Sequence, residues 1–319
     1  MEASGFGQLD ATYQVLSDVL LRLPFLDAPD VGLTIRRATA ETGLDFEQRR
    51  TPVAAVGLDR QHQTVTVFLA EDVKLDGASV AEALGLGGEV LTRYSGPILP
   101  AARGGESVSG DVGGGETGTI TCVVEDSAQQ PLLLGCNHTL AGVNRAVRRT
   151  DTVRQPGAAA GGLSPADTAG PVRDFEQLQL GGVTANVMDA AVSDLRDATQ
   201  AHPGVVGIGP IAGIGAAAHG DAVEKVGWST GHTKGTYQYD MRYTTAFGNT
   251  PALFEGQMGI VGSGQPGSFA QQGDSGAPVL LPGSSELVGM VVGVANGLDL
   301  TFVSPIVPVL SRFGVTPMP

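Results

Sequence analysis

Residues 271–280 read QQGDSGAPVL. Ser275 stands between Asp274 and Gly276, with Gly273 ahead of them and an apolar run behind. Two readings compete: a tight turn entering a strand, or a nucleophile displayed on such a turn. A chain with 47 glycines among 319 residues produces short glycine motifs easily, so the stretch alone does not choose between them. A serine hydroxyl is a weak nucleophile unless a base takes its proton and a third group holds that base in the right tautomer. The choice therefore depends on whether the chain also supplies a histidine, a carboxylate and a β scaffold.

The bulk composition leaves room for all three. The chain is 42% hydrophobic and 16% charged, enough for a sizeable core and unlike a disordered polymer. Aromatics are only 5%, so the core is expected to consist of Val, Leu, Ala and Ile. The length suits one large or two moderate domains. A net charge of −14 argues against nucleic acid and anionic lipid as partners. No run of about 18 apolar residues is present, so no membrane span is expected. The start, MEASGFGQLDATYQVLSDVL, lacks the basic opening and apolar centre of a signal peptide. With two cysteines, Cys122 and Cys136, a cytoplasmic location with free thiols is the expectation. The alternative for them is a disulfide across a hairpin around EDSAQQ.

Along the chain, residues 8–24 carry apolar residues at helical spacing up to Pro24. TPVAAVGL (51–58), QTVTVFLA (63–70) and GGEVLTRY (87–94) read as strands, and GASVAEALG (77–85) as a short helix. The glycine-rich run AARGGESVSGDVGGGETG (101–118) marks a boundary, dividing an α+β region over 1–100 from a β-rich domain over 101–319. In the second part short apolar runs alternate with Gly, Pro and Ser clusters, the pattern of a barrel or sandwich. AAVSDLRDATQ (190–200) fits a helix, and residues 151–172 fit a long surface loop.

Five histidines are present, at 62, 138, 202, 219 and 232. Only His138 follows a strongly apolar strand, LLLGC, and opens a turn, which fixes the backbone while presenting the side chain. A purely structural histidine is the competing reading. Asp189, in NVMDAAVSDL, lies among small apolar residues, where an aspartate needs donors to offset its burial. Asp194, in more polar company, reads instead as a solvated helix residue.

In chain order, LGCNHTLAG, MDAAV and GDSGAPV resemble the three signature regions of trypsin-like serine peptidases with the chymotrypsin fold. Two departures stand out: Ala277 replaces the usual second glycine, and the usual alanine before the histidine is missing. GGESVSG, GTITCVVED, NHTLAGVN, RQPGAAAGG and VGWSTGHTKGT further resemble a divergent branch that includes bacterial trypsin-like proteins and plant narrow-leaf proteins. The resemblance implies a mainly β fold of two six-stranded antiparallel β-barrels, preceded by the small α+β N-terminal region. It implies a triad of His138, Asp189 and Ser275, with an oxyanion hole from the backbone N–H groups of Gly273 and Ser275. By the family's pattern, Phe269 lies at the base of the substrate pocket and Val292, Gly293 and Val294 form its wall. With no acid at the base, a small or apolar side chain before the cut is expected; a pocket closed by Phe269 is the alternative.

The expected activity is a serine endopeptidase acting on protein or peptide substrates. The alternative is a weak or inactive scaffold that binds a partner. An esterase of the α/β-hydrolase kind is disfavoured by the His–Asp–Ser order and because Ser275 stands in GDSGA, not in a GxSxG elbow. In secreted members of the family it resembles, a newly cut N-terminus pairs with the aspartate before the nucleophile, here Asp274. No such cleavage site is evident near residues 110–118, so Asp274 is expected to find another donor, or the hole to be shaped by the N-terminal segment or a partner, with control by a regulatory partner or a second copy. Cys136 and His138 alone make an incomplete zinc site, and no phosphate-loop motif occurs, so no metal or cofactor is expected.

Overall fold

The computed structural model describes residues 10–16, 53–69, 77–83, 86, 89–94, 98–100, 106–112, 116–162, 164, 167–196, 201–264, 269–295 and 298–318. In chain order the strands are β1 (Val53–Asp59), β2 (Thr64–Leu69), β3 (Glu89–Tyr94), β4 (Ile98–Pro100), β5 (Ser107–Gly110), β6 (Thr117–Thr119) and β7 (Cys122–Glu125). There follow β8 (Pro131–Gly135), β9 (Thr152–Arg154), β10 (Thr168–Phe175), β11 (Ala185–Asn186), β12 (Ala191–Asp194), β13 (Gly213–Ile214) and β14 (Ala222–Gly227). The last are β15 (Gly231–Phe247), β16 (Thr250–Gly262), β17 (Pro278–Leu280), β18 (Glu286–Ala295), β19 (Leu300–Pro305) and β20 (Thr316–Pro317).

The chain is mainly β and its strands form two sheets. One has eight strands in the order β20-β7-β8-β12-β10-β9-β5-β6. The other has twelve, along the path β11-β16-β19-β18-β17-β14-β15-β1-β2-β3, with β4 and β13 both pairing with β18 off that path. The sheets therefore hold more strands than the six apiece expected for the barrels. The second gains from the N-terminal region, since β1 pairs antiparallel with β15 over Ala55↔Tyr243 to Leu58↔Asp240. β15 is 17 residues long and exposes enough edge to take both its hairpin partners and β1.

The N-terminal strands and the helix Gly77–Ala83 appear where the hydrophobic pattern predicts them. That helix separates β2 and β3, which run parallel, as a crossover requires. Of the helix expected over 8–24, residues 10–16 are helical, and the rest lies outside the described residues. Leu16 is buried with Val56, Leu58, Val65, Val67 and Val80.

Two readings of the middle of the chain are corrected. The helix-compatible stretch after Asp189 begins as strand β12, which is hydrogen-bonded on both edges, to β8 and β10. Asp194 is a strand residue paired with Arg173 at 2.7 Å, not a solvated helix residue. The supposed loop over 151–172 contains β9, the 3-10 turn Ala158–Ala160 and the start of β10. Buried Val153 holds β9 against β5 and β10. In both places tertiary pairing overrides a weak local pattern.

The faces of the two sheets meet in one apolar cluster. Cys122, Val124, Leu132 and Leu134 come from the first sheet, and Val226, Leu280, Leu287 and Met290 from the second. Each such side chain contributes about 1.5–3 kcal/mol when fully buried. The strand ends that carry the candidate triad lie at this junction.

Candidate active site

His138 lies just beyond β8, on the helical turn Asn137–Leu140, so the expected placement at a strand end holds. Asp189 precedes β12, which pairs with β8 from Ala191↔Gly135 to Asp194↔Leu132. That pairing sets the two side chains next to each other. Asp189 Oδ2 is 2.5 Å from His138 Nδ1, and Asp189 Oδ1 accepts the His138 backbone N–H at 3.1 Å. One carboxylate thus fixes both the ring and the main chain of the histidine. Both side chains are fully buried, and the Phe247 ring packs against the imidazole at 5.7 Å. With Nδ1 donating to the carboxylate, Nε2 is left as the basic nitrogen.

Ser275 comes from the turn ahead of β17, and its Oγ donates to the Val292 carbonyl at 3.2 Å. Three contacts surround this turn: one from the strand end that carries His138 to β18, and two from the Thr119–Thr121 segment to the turn itself. Cys136 Sγ donates to Val291 O at 3.4 Å, one residue from the acceptor of Ser275. Thr119 N–H donates to Ser275 O at 2.6 Å, and Thr121 Oγ1 donates to Gly276 O at 2.6 Å. A Cβ on Gly118 would lie 2.5 Å from Thr139 Oγ1 and 2.9 Å from Ser275 O, so the Ser275 turn and the neighbour of His138 close on that glycine. The three residues expected to form the triad therefore converge on one junction between the sheets.

The turn has the backbone that an oxyanion hole needs. Gly273 takes φ = 117° and Gly276 takes φ = 91°, both in the region that favours glycine. Among the described residues, neither the Gly273 nor the Ser275 amide donates a hydrogen bond. The open amides stand on either side of Asp274, whose own N–H donates to Gln271 O at 3.0 Å, and an oxyanion hole would need two such donors. Gly276→Ala should be severely destabilising, because its Cβ would sit 2.1 Å from Thr119 O. The left-handed backbone alone costs about 1–3 kcal/mol for a residue with a side chain, and the clash adds to it. Urea unfolding would show the loss as a fall in midpoint with the slope unchanged.

Asp274 is fully buried beside Ser275, and its donors come from within the chain. Lys225 on β14, also fully buried, places Nζ 3.2 Å from Asp274 Oδ2. Thr230 Oγ1 donates to Oδ2 at 2.7 Å, Ser229 N–H to Oδ1 at 3.0 Å, and Gln271 N–H to Oδ2 at 3.1 Å. Burial lowers the Lys225 pKa from its ordinary value, and the Asp274 charge works against that shift. A Cβ on Gly227 would lie 2.2 Å from Asp274 Oδ1, so that glycine makes room for the carboxylate. Sequence reasoning asked for a donor to Asp274 without finding it. The signal was a lysine inside an otherwise strand-like run, AVEKVG, where a charge needs a buried partner.

Of the expected pocket residues, Val292 and Val294 are buried and lie with Gly293 on β18. Phe269 is fully buried in the apolar cluster that holds Val223, Tyr237, Ile260 and Val294, and its carbonyl accepts from Thr233 Oγ1. Its ring faces Lys225 Nζ at 6.0 Å. Phe269 and Val294, expected at the base and wall of the pocket, thus share one apolar cluster.

Both cysteines are free and buried. Burial pushes the Cys122 thiol up to about 12, and burial followed by the Asp189 charge pushes Cys136 well above its ordinary value. Cys136, His138 and Asp189 place potential metal ligands within 4.8 Å of one another. Cys136 nevertheless stays a thiol bonded to Val291, and both Asp189 oxygens are engaged by His138.

No protein-family model and no curated protein matches the chain. Among solved structures, Thermobifida fusca protease A is similar at 21% identity and a TM-score of 0.45, covering 68% of this chain and 98% of that one. A glutamic acid specific serine protease is similar at 19% identity and a TM-score of 0.47, covering 68% and 100%. Cellulomonas bogoriensis chymotrypsin is similar at 19% identity and a TM-score of 0.44, covering 68% and 98%.

Proposed function

We propose that this protein is a serine endopeptidase in which Ser275 is the nucleophile, His138 the general base and Asp189 its orienting carboxylate. The observation that carries this reading is the doubly bonded, fully buried His138–Asp189 pair at the junction that also receives the Ser275 turn. A histidine kept only for packing has no need of a carboxylate on Nδ1, because burying that carboxylate is costly.

In the proposed mechanism the Ser275 hydroxyl turns from Val292 toward His138 Nε2 and attacks the scissile carbonyl. His138 takes the proton, and Asp189 stabilises the imidazolium that forms. The oxyanion is met by the N–H groups of Gly273 and Ser275. The amine leaves with the proton from His138, and water repeats the sequence on the acyl-enzyme. Lys225 supplies the positive charge that pairs with Asp274, so the Ser275 turn has its anchor without a newly cut N-terminus.

The pocket residues support a preference for small or apolar side chains before the cut, since the buried Phe269 side chain packs against Val294 of the expected wall. A peptide-library digest read by mass spectrometry should return cuts after small or aliphatic residues. Strong selection for Arg or Lys would sink this part of the proposal. One observation favours a second reading, a scaffold of weak activity: Ser275 is fully buried and its hydroxyl is engaged by Val292.

A further inference from the structure

One edge of β18 is shared by two separate pieces of chain. From Leu287 to Met290 the partner is β17, with Leu280↔Leu287 and Pro278↔Met290. The nucleophile turn continues along this edge: Ala277 and Gly276 bond to Val291, and Ser275 Oγ bonds to Val292 O. From Gly293 onward the partner is β4, antiparallel, with Gly293↔Pro100, Val294↔Leu99 and Ala295↔Ile98. At the same residues β19 holds the other edge, with Gly293↔Phe302, Val294↔Thr301 and Ala295↔Leu300. β4 and β17 therefore lie end to end on one side of β18 and run in the same direction, with Ser275 between them. The C-terminal end of β4 points at the nucleophile.

This placement has a chemical meaning that rests on the peptidase reading above. An extended substrate that brings a carbonyl to Ser275 needs a backbone partner leading up to it, and the β18 edge at Gly293–Ala295 is the one that ends there. Adding a strand to an open edge is a general way to bind a peptide in extended form. Here the edge is already taken by residues 98–100 of the same chain.

We propose that β4 is a built-in occupant of the substrate groove, which keeps the peptidase closed until the segment is displaced. An occupant tethered in the same chain competes at an effective concentration in the mM range, above that of most peptide substrates. Only a substrate or partner that displaces β4 would then reach Ser275. Backbone pairing carries the contact, so Leu99→Pro, which removes an N–H and disfavours the strand, should release it. Replacing residues 98–100 with Gly-Ser-Gly is a second route, weakening the strand through backbone entropy.

The test compares two reagents on full-length wild type and both variants: a small alkyl fluorophosphonate, and an Ile-Leu-Pro-Ala diphenyl phosphonate that needs the groove. The peptidyl reagent should react at least about tenfold faster with the variants, while the small reagent changes by less than about threefold. Amide hydrogen exchange should quicken in the variants at the amides of Gly293–Ala295 that face β4, and not at those that face β19. Equal peptidyl rates in all three proteins would overturn the proposal, as would an equal rise for both reagents. No adduct with any protein would overturn the peptidase reading beneath it. Amide exchange would still judge the pairing by itself, and unchanged exchange in the variants would rule out β4 as the occupant.

Discussion

Replacing Asp189 with Asn should lower kcat by about 10⁴-fold while leaving the protein folded, the penalty for the wrong histidine tautomer in a Ser-His-Asp triad. The geometry explains why so small a change costs so much. Asp189 Oδ1 accepts the His138 backbone N–H, and an amide oxygen fills that role equally well. At Oδ2 the exchange places an NH₂ group against His138 Nδ1, 2.5 Å away in the native protein. Two donors cannot share one bond, so Nδ1 gives up its proton and the proton moves to Nε2, the nitrogen proposed to act as base. The base is then blocked and the imidazolium loses its counter-charge. Stability should fall by only about 1.5–3 kcal/mol, the scale of a hydrogen bond to a charged group. Circular dichroism and kcat measured together separate the two effects; a variant that keeps wild-type kcat would remove Asp189 from the mechanism.

The second large effect is expected at Lys225. Lys225→Met keeps the volume of the side chain and removes its charge, leaving Asp274 buried without a cation. Breaking a buried pair from one side costs about 3–5 kcal/mol, and both side chains here are fully buried. The loss should also reach the chemistry. Asp274 lies between Gly273 and Ser275, whose amides form the proposed oxyanion hole, and a displaced hole donor costs about 10²–10³ in kcat. A role in positioning predicts that kcat falls more than KM rises, and that Lys225→Arg recovers part of both activity and stability. A variant with normal kcat and lowered stability would confine Lys225 to a structural role.

Much of the candidate site's geometry could be read from the residues themselves, because backbone and burial dictate local pattern. Gly273 and Gly276 need backbone that other residues avoid, so GDSG is a real constraint on the chain. His138 could be placed because LLLGC is apolar enough to be a strand and NHTL breaks it. Asp189 stood out as a carboxylate without local donors. What could not be read was everything set by pairing between distant segments. The Lys225–Asp274 contact depends on Lys225↔Val279, a register between strands far apart in sequence. The attachment of β1 to β15 and of β4 to β18 likewise has no signature in either partner alone. β12 looked helical because four residues carry little periodicity, and its edges, not its composition, make it a strand.

The proposed peptidase activity requires that Ser275 be an activated nucleophile. The most direct measurement is reaction of the purified full-length protein with a serine-directed fluorophosphonate, located by peptide mass spectrometry, with Ser275→Ala alongside. The account expects one adduct, on Ser275, that disappears in Ser275→Ala and in acid-unfolded protein. A native, folded protein that forms no adduct on Ser275, or forms the same adducts when Ser275 is replaced, would contradict it.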